Sequence, residues 1–163
     1  MHKMKINIRE VFTIKEKKIC AKIMATSDPW VTLGITQNEM IKKVNDRLLE
    51  VYIVENDKDI IGTFALQTKG AFNGYLKSIA IKKEWRGKQI GRIMMDFIEK
   101  RIFSLSPNVF LCVSSFNKKA QNFYQKLGYK KVGVITDYLV EGYDEILMRK
   151  TVGPIGTITK NIN

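Results

Sequence analysis

The sequence is poor in the residues that staple or metal-clamp a small fold. Its 163 residues include one histidine, two cysteines and three prolines. His2 stands in the first few residues, and Cys20 and Cys112 lie far apart among apolar neighbours. A Cys/His zinc site is thereby excluded, no disulfide framework is spelled, and both thiols read as small hydrophobes. No apolar run approaches the roughly 20 residues needed to cross a bilayer. The opening Met1-His2-Lys3-Met4-Lys5-Ile6-Asn7 lacks the apolar stretch and cleavage site of a signal peptide, so a soluble, cytoplasmic chain with no membrane partner is expected. Acidic charge is scarce as well: 16 Asp and Glu stand against 28 Lys and Arg, a formal net charge of +12. Such an excess fits nucleic acid, an anionic membrane surface, a polyanionic small molecule, or a lysine-rich soluble surface, and by itself selects none.

What is present is a core. Apolar residues make up 45% and the mean hydropathy is −0.15, at a length that suits one domain of about 100–200 residues. A strand is expected over Lys5–Val11. Thr13 and Glu16 spell a capping box, opening a helix whose apolar face holds Ile19, Cys20, Ile23 and Met24. Ser27-Asp28-Pro29-Trp30 ends it. A second capping box, Thr36 with Glu39, opens a helix carrying Met40, Ile41, Val44 and Leu48 on one side. Val51–Val54 and Ile60–Leu66 read as a hairpin around a polar turn at 55–59, and Asn73-Gly74 leads into a third strand, Tyr75–Ile81. A helix follows over Gln89–Phe103, with Ile90, Ile93, Met94, Phe97, Ile98 and Ile102 spaced for one buried face. A short strand, Val109–Val113, precedes a helix over Asn117–Leu127 that stops at Gly128. Strands near Tyr129–Thr136 and Asp144–Lys150 close the pattern. The expected architecture is an α/β domain over residues 1–150, a mixed, mostly antiparallel sheet flanked by helices in the order β-α-α-β-β-β-α-β-α-β-β, with a loosely held tail over 151–163.

The most informative segment is the turn between the third meander strand and the long helix. No Ser, Thr or Asp side chain is placed to cap that helix, so its first N–H groups are free to meet an anion that the helix dipole also favours. Gly87 and Gly91 allow close approach, and Lys82, Lys83, Arg86, Lys88 and Arg92 surround the turn with positive charge. The pattern reads either as a phosphate cradle or as a basic turn whose glycines ease the chain round a corner. No hydroxyl follows the lysine, so it is not a Gly-Lys-Ser/Thr nucleotide loop.

Arg86-Gly87-Lys88-Gln89-Ile90-Gly91 resembles the pyrophosphate-binding motif of the GCN5-related N-acetyltransferases (GNAT), with Gln89 standing where that family usually has glycine. Asn117-Lys118-Lys119-Ala120-Gln121-Asn122-Phe123-Tyr124-Gln125-Lys126-Leu127-Gly128-Tyr129 resembles a second element of the same family, in the same order. The resemblance spans about residues 5–150 and implies a GNAT-like fold acting on acetyl-CoA, with no metal. It further implies that backbone groups of Ile79, Ala80 and Ile81 bind the pantetheine arm. The turn Arg86, Gly87, Lys88, Gln89, Ile90, Gly91, with Arg92, would hold the pyrophosphate. Asn117, whose residue type also suits a helix N-cap, would contact the cofactor arm. Tyr124, otherwise a core residue beside Ala120 and Leu127, would protonate the departing thiolate.

The implied activity is transfer of the acetyl group to a primary amine, either a small molecule or a peptide N-terminus, by a monomer or homodimer. The general base is not evident. Tyr75–Ile81 holds no carboxylate, and Cys112 stands where some protein N-terminal acetyltransferases of the family have glutamate, which argues against a ribosomal-protein acetyltransferase. Glu141, Asp144 and Glu145, or a water chain, are the candidates. With Asp137 these acids form either a solvated hairpin or a patch for a cationic amine. Trp30 either lines the acceptor cleft or pins its loop. Two rival readings are a basic nucleic-acid-binding module, suggested by Trp85 and Tyr129 beside basic residues, and a catalytically silent acyl-CoA-binding domain. The nucleic-acid reading is disfavoured because the aromatics fall at core-periodic positions.

Overall fold

The computed structural model describes residues 4–156. The element order is β1 (Ile6–Glu10), α1 (Ile14–Ala25), α2 (Gln37–Val44), β2 (Leu49–Asn56), β3 (Asp59–Gln67), β4 (Tyr75–Ile81), α3 (Ile90–Phe103), β5 (Asn108–Ser114), α4 (Lys118–Lys126), β6 (Lys130–Val140) and β7 (Tyr143–Thr151). This is the expected order of strands and helices. A 3-10 turn over Lys83–Trp85 is added between β4 and α3. Both capping boxes form: the Thr13 and Thr36 hydroxyls accept from the N–H of Glu16 and Glu39, whose carboxylates reach back to the cap N–H groups.

The strands make one seven-stranded sheet in the order β1-β2-β3-β4-β5-β7-β6. Every neighbouring pair is antiparallel except β4 and β5, which run parallel. Alternation along β2 and β3, interrupted in β3 by a bulge at Ile61, divides the core between the two faces. Tyr52, Val54, Ile61, Phe64 and Leu66 pack with α3, whereas Val51, Ile53 and Ala65 pack with α1 and α2.

Strand β4 also breaks the alternation, and its break shapes the site. Its register against β3 shifts between Leu76 and Ser78, leaving Lys77 as the extra residue of a β-bulge. Leu76, Ile79 and Ile81 consequently all join the α3 core, while Ala80 joins the α1–α2 core. Ser78 also turns toward α1, where its hydroxyl donates to Met24 Sδ at 3.5 Å.

Several details differ from the sequence-based expectations. Ile93 is 38% exposed, because the buried stripe of α3 is centred on Met94 and Ile98 and takes in Met95 instead. Leu48 lies beyond the end of α2 and is exposed rather than on its buried side. Thr151 and Val152, expected to begin a loose tail, hydrogen-bond to the Pro107 carbonyl through Oγ1 and N–H respectively. The remainder of that tail from 157 onward, and His2, lie outside the described residues. No helix among the described residues is long and apolar enough to cross a membrane.

Candidate active site

Strands β4 and β5 pair only at Tyr75–Phe110 and Leu76–Leu111, after which they separate. The far half of β4 therefore keeps β3 on one edge and leaves the other without a strand partner. A parallel pair requires a crossover helix, and α3 supplies it, so the N-terminus of α3 opens beside the end of β4.

The connecting turn is left with unused donors. Gln89 is the N-cap of α3 and caps it with no side-chain hydrogen bond. Among the described residues the N–H groups of Gly87, Lys88, Gln89, Ile90 and Gly91 meet no acceptor. Gly87 has φ +75° and nothing within 4 Å of where a Cβ would sit, so the turn is open on that side. Gln89 itself holds a left-handed φ of 64°, a conformation that suits glycine, with its side chain exposed. Lys82, Lys83, Lys88 and Arg92 form no ion pair among the described residues. Arg86 is used differently. Its Nε donates to the Ile81 carbonyl and its Nη2 to Ser27 Oγ, both at 3.0 Å, which ties the turn to the end of β4 and the end of α1. Ile90 buries its side chain in the core and offers only its backbone.

Two cavities follow the gap. One, of about 180 Å³, is walled by Ser27, Asp28, Ile79, Ala80, Ile81, Arg86, Gly91, Phe123 and Tyr124. The other, of about 150 Å³, lies between the Asp28–Trp30 loop, α2, the bulged part of β4, β5, α4 and the β6–β7 hairpin. Ile79, Tyr124 and Asp28 belong to both walls, so the cavities share a boundary. Tyr124 is 6% exposed, is held edge-on between Phe123 and Tyr129, and makes no hydrogen bond through its hydroxyl to any described residue. Burial pushes its phenol well above the ordinary value of 10, so it stays protonated at neutral pH. Asn117 lines the second cavity and caps α4, its Oδ1 accepting from Ala120 N–H at 3.1 Å.

The structure thus brings Ile79, Ala80, Ile81, Arg86, Gly91 and Tyr124 to one cavity, and Asn117 with Ile79 and Tyr124 to the other. Glu141 and Asp144 reach neither. Glu141 is exposed, and Asp144 Oδ1 accepts from the Asp137 N–H at 3.4 Å while Asp137 accepts from Gly142 N–H at 2.6 Å. These acids close the hairpin turn. Glu145, one residue on, points the other way. It is 2% exposed, lines the second cavity, and accepts from Ser114 Oγ at 2.6 Å. Burial raises its carboxyl above the usual glutamate range. Trp30, for which the sequence left two roles open, lines the same cavity and packs into the α1–α2 core. Trp85 and Tyr129 pack against or within the α3 core, so neither is a free stacking platform.

Lys43 and Lys77 also line the second cavity, and the motifs did not point to them. One sequence signal for Lys77 exists: Leu76 and Ile79 are three apart in a strand, so both can face one core only if a residue between them is bulged out.

Residues 47–131 match the family model described as an acetyltransferase (GNAT) domain. The chain belongs to the GNAT acetyltransferase family. A relative, an uncharacterized N-acetyltransferase of Methanocaldococcus jannaschii, is 33% identical over 61% of this chain and 64% of its own length. An N-alpha-acetyltransferase of Sulfurisphaera tokodaii is 27% identical over 60% of this chain and 66% of its own length. The chain thus spans a little under two thirds of the length of each of these relatives. A solved aminoglycoside 6'-N-acetyltransferase complexed with coenzyme A shares the fold, with a TM-score of 0.70 at 18% identity, covering 91% of this GNAT chain and 98% of that one.

Proposed function

We propose that this GNAT protein is an acetyl-CoA-dependent N-acetyltransferase. The observation that carries the reading is the set of unpaired N–H groups at Gly87–Gly91, opening beside a strand gap whose two cavities meet at Tyr124. The open side of Gly87 and the unpaired lysines suit a pyrophosphate, and the partnerless edge of Ile79–Ile81 suits a pantetheine amide chain. Acetyl-CoA supplies an acyl thioester, activated toward amines. Lys88, Arg92 and the turn N–H groups would hold its phosphates, and Arg86 would position the turn.

Glu145 is the base that the geometry supports best. Two carboxylates border the second cavity. Asp28 is exposed, and its Oδ1 already accepts from the N–H and hydroxyl of Thr32. Glu145 is buried, and its raised pKa brings it closer to that of an amine, which makes proton transfer more even. It takes the amine proton as the N–C bond forms, and Tyr124 Oη gives its proton to sulfur as the C–S bond breaks. Glu145 then releases a proton to water and the Tyr124 phenolate takes one up, which restores the starting state. A strand N–H of Ile79–Ile81 stabilises the negative charge that develops on oxygen.

The test is binding followed by turnover. A ligand at 100 times its Kd stabilises the native state by about 2.7 kcal/mol, so saturating acetyl-CoA should raise Tm by about 5–11 °C. Thiol release with an amine panel then reads activity. No thermal shift with acetyl-CoA would overturn the reading.

A further inference from the structure

The acceptor cavity is lined by two lysines that form no ion pair with any described residue. Lys43 enters it from the last turn of α2, and Lys77 from the bulge of β4. Both are half-buried, and neither makes an ion pair or a side-chain hydrogen bond with a described residue. Each rests on an aromatic ring instead. Lys43 Nζ lies 4.7 Å from the Trp30 ring centre and Lys77 Nζ lies 5.5 Å from that of Tyr75. The two ammonium groups feel each other: burial lowers the Lys43 pKa first, and the charge of Lys77 lowers it further.

Glu39 acts on Lys43 without forming an ion pair, and neither carboxylate of the cavity wall pairs with a lysine. Glu145 is held by Ser114, and Asp28 by Thr32. Trp30 adds a further donor, since its Nε1 is buried and meets no acceptor among the described residues. Two unpaired ammonium groups and an unpartnered indole N–H on one wall offer donors to an anion from outside. The bulge also matters here, because it takes Lys77 out of the strand's regular alternation.

We infer that the cavity receives amines bearing a carboxylate, with Lys43 and Lys77 binding the carboxylate and Glu145 facing the amine. The inference rests on the acetyltransferase reading and names its acceptor class. A volume of about 150 Å³ suits the head of an amino acid or a chain terminus. It is well below the roughly 300–1,000 Å³ of pockets that enclose larger ligands. Polyamines and aminoglycosides bring cations toward two lysines and are repelled. The carboxylate comes either from a free amino acid or from an acidic residue next to a peptide N-terminus. In both cases amine and carboxylate sit on one compact unit.

The experiment compares matched acceptors by thiol release with acetyl-CoA: alanine against alaninamide, the peptide amide Met-Glu-Ala-Ala against Met-Gln-Ala-Ala, and spermidine. The carboxylate-bearing member of at least one pair is expected to exceed its neutral partner in kcat/KM by about tenfold or more, the scale of a charge-assisted hydrogen bond. The pair that shows the preference identifies the source of the carboxylate. In the double variant Lys43→Met, Lys77→Met that preference should vanish through KM, with the neutral partner and the acetyl-CoA KM little changed. Lys77→Arg alone should retain it. Equal rates within both pairs, a preference that survives the double variant, or spermidine as the best acceptor would overturn the inference. So would calorimetry on the coenzyme A-loaded enzyme that finds no carboxylate-bearing member bound, together with no turnover of any. Failure of acetyl-CoA to stabilise the protein is a separate result, and it overturns the acetyltransferase reading itself.

Discussion

Replacing Tyr124 with Phe separates the proposed acid role of its hydroxyl from the packing of its ring. The ring packs at 5.3 Å from Phe123 and 5.8 Å from Tyr129, and Tyr124→Phe keeps all of that contact. The substitution deletes one hydroxyl that bonds to no described residue. An unpaired hydroxyl in dry surroundings costs about 1–3 kcal/mol, and water in the adjoining cavities can serve this one, so the lower end applies. The variant should gain up to about 1 kcal/mol, which for a chain of this size raises Tm by about 2–4 °C. Activity should move the opposite way. Loss of a general acid lowers kcat by about 10²–10⁴, or about 2.7–5.4 kcal/mol of barrier. The KM for acetyl-CoA should hardly change, because the turn proposed to hold its phosphates is untouched. Thermal melts with and without acetyl-CoA and steady-state thiol release give all three quantities. An unchanged kcat refutes the acid role, and a fall in Tm would show that the hydroxyl is structural.

Glu145→Gln retains an acceptor for Ser114 and should lower kcat by about 10²–10⁴ while removing the ascending limb of the kcat/KM–pH profile. Because burial raises this carboxyl, its contribution to stability is complete below the ordinary value of 4.5 and is lost as pH rises through the elevated pKa. The Tm of the Gln variant relative to the parent should therefore improve from pH 4 to pH 8 (about four decades in proton activity), and the reverse trend would contradict the assignment. Gln89→Gly relieves a left-handed φ of 64°. That relief, about 1–2 kcal/mol, is partly offset by glycine's larger unfolded-state entropy, leaving a net gain of about 0.5–1 kcal/mol with an equal or lower KM for acetyl-CoA. A loss of stability would mean that the Gln89 side chain makes a contact of its own. Glu16→Gln tests acid sensitivity away from the site. The Arg9 guanidinium, with the Phe12 and Thr13 N–H groups, holds the Glu16 carboxyl down at about 2. Its contribution is present above the ordinary value of 4.5 and is lost as pH falls through about 2. The variant should cost about 1 kcal/mol at neutral pH, and the gap in Tm should narrow as the pH falls to about 2, measured by melts across that range.

Local chemistry was legible in the sequence because it acts over a few residues. Thr13 with Glu16, Thr36 with Glu39, Asn117 before α4 and Gly128 at φ +92° each act as their residue types dictate. The uncapped start of α3 was legible for the same reason, as a helix with no capping residue after a glycine. What was not legible depends on register. Glu141, Asp144 and Glu145 are equivalent as spellings, and only the pairing of Ser114 with Glu145 across β5 and β7 decides which carboxylate faces the cavity. A shift of one residue would have turned Asp144 inward instead. Lys77 likewise acquires its place from a bulge set by β3, and Lys43 from the way α2 lies over the sheet.

The position of the site follows from one feature of the sheet. Antiparallel neighbours can be joined by tight turns and can pair along their whole length, as β2 and β3 do. Strands β4 and β5 are the one parallel pair among the described strands, so the chain must leave the sheet, cross over through α3 and return. That detour puts an uncapped helix N-terminus beside the end of β4. Ligands of open α/β sheets collect at such reversals for the same reason. Here β5 is also engaged on its other edge by β7 along the full length from Asn108 to Ser114, so β5 follows β7 rather than β4 and the gap opens. The antiparallel hold of β7 on β5 therefore does two jobs. It draws β5 away to make room along Ile79–Ile81, and it carries Glu145 to the wall of the space so made. A substitution that weakened the β5–β7 pairing should thus impair donor and acceptor binding together, whereas changes at Lys77 or Gln89 should affect one side only.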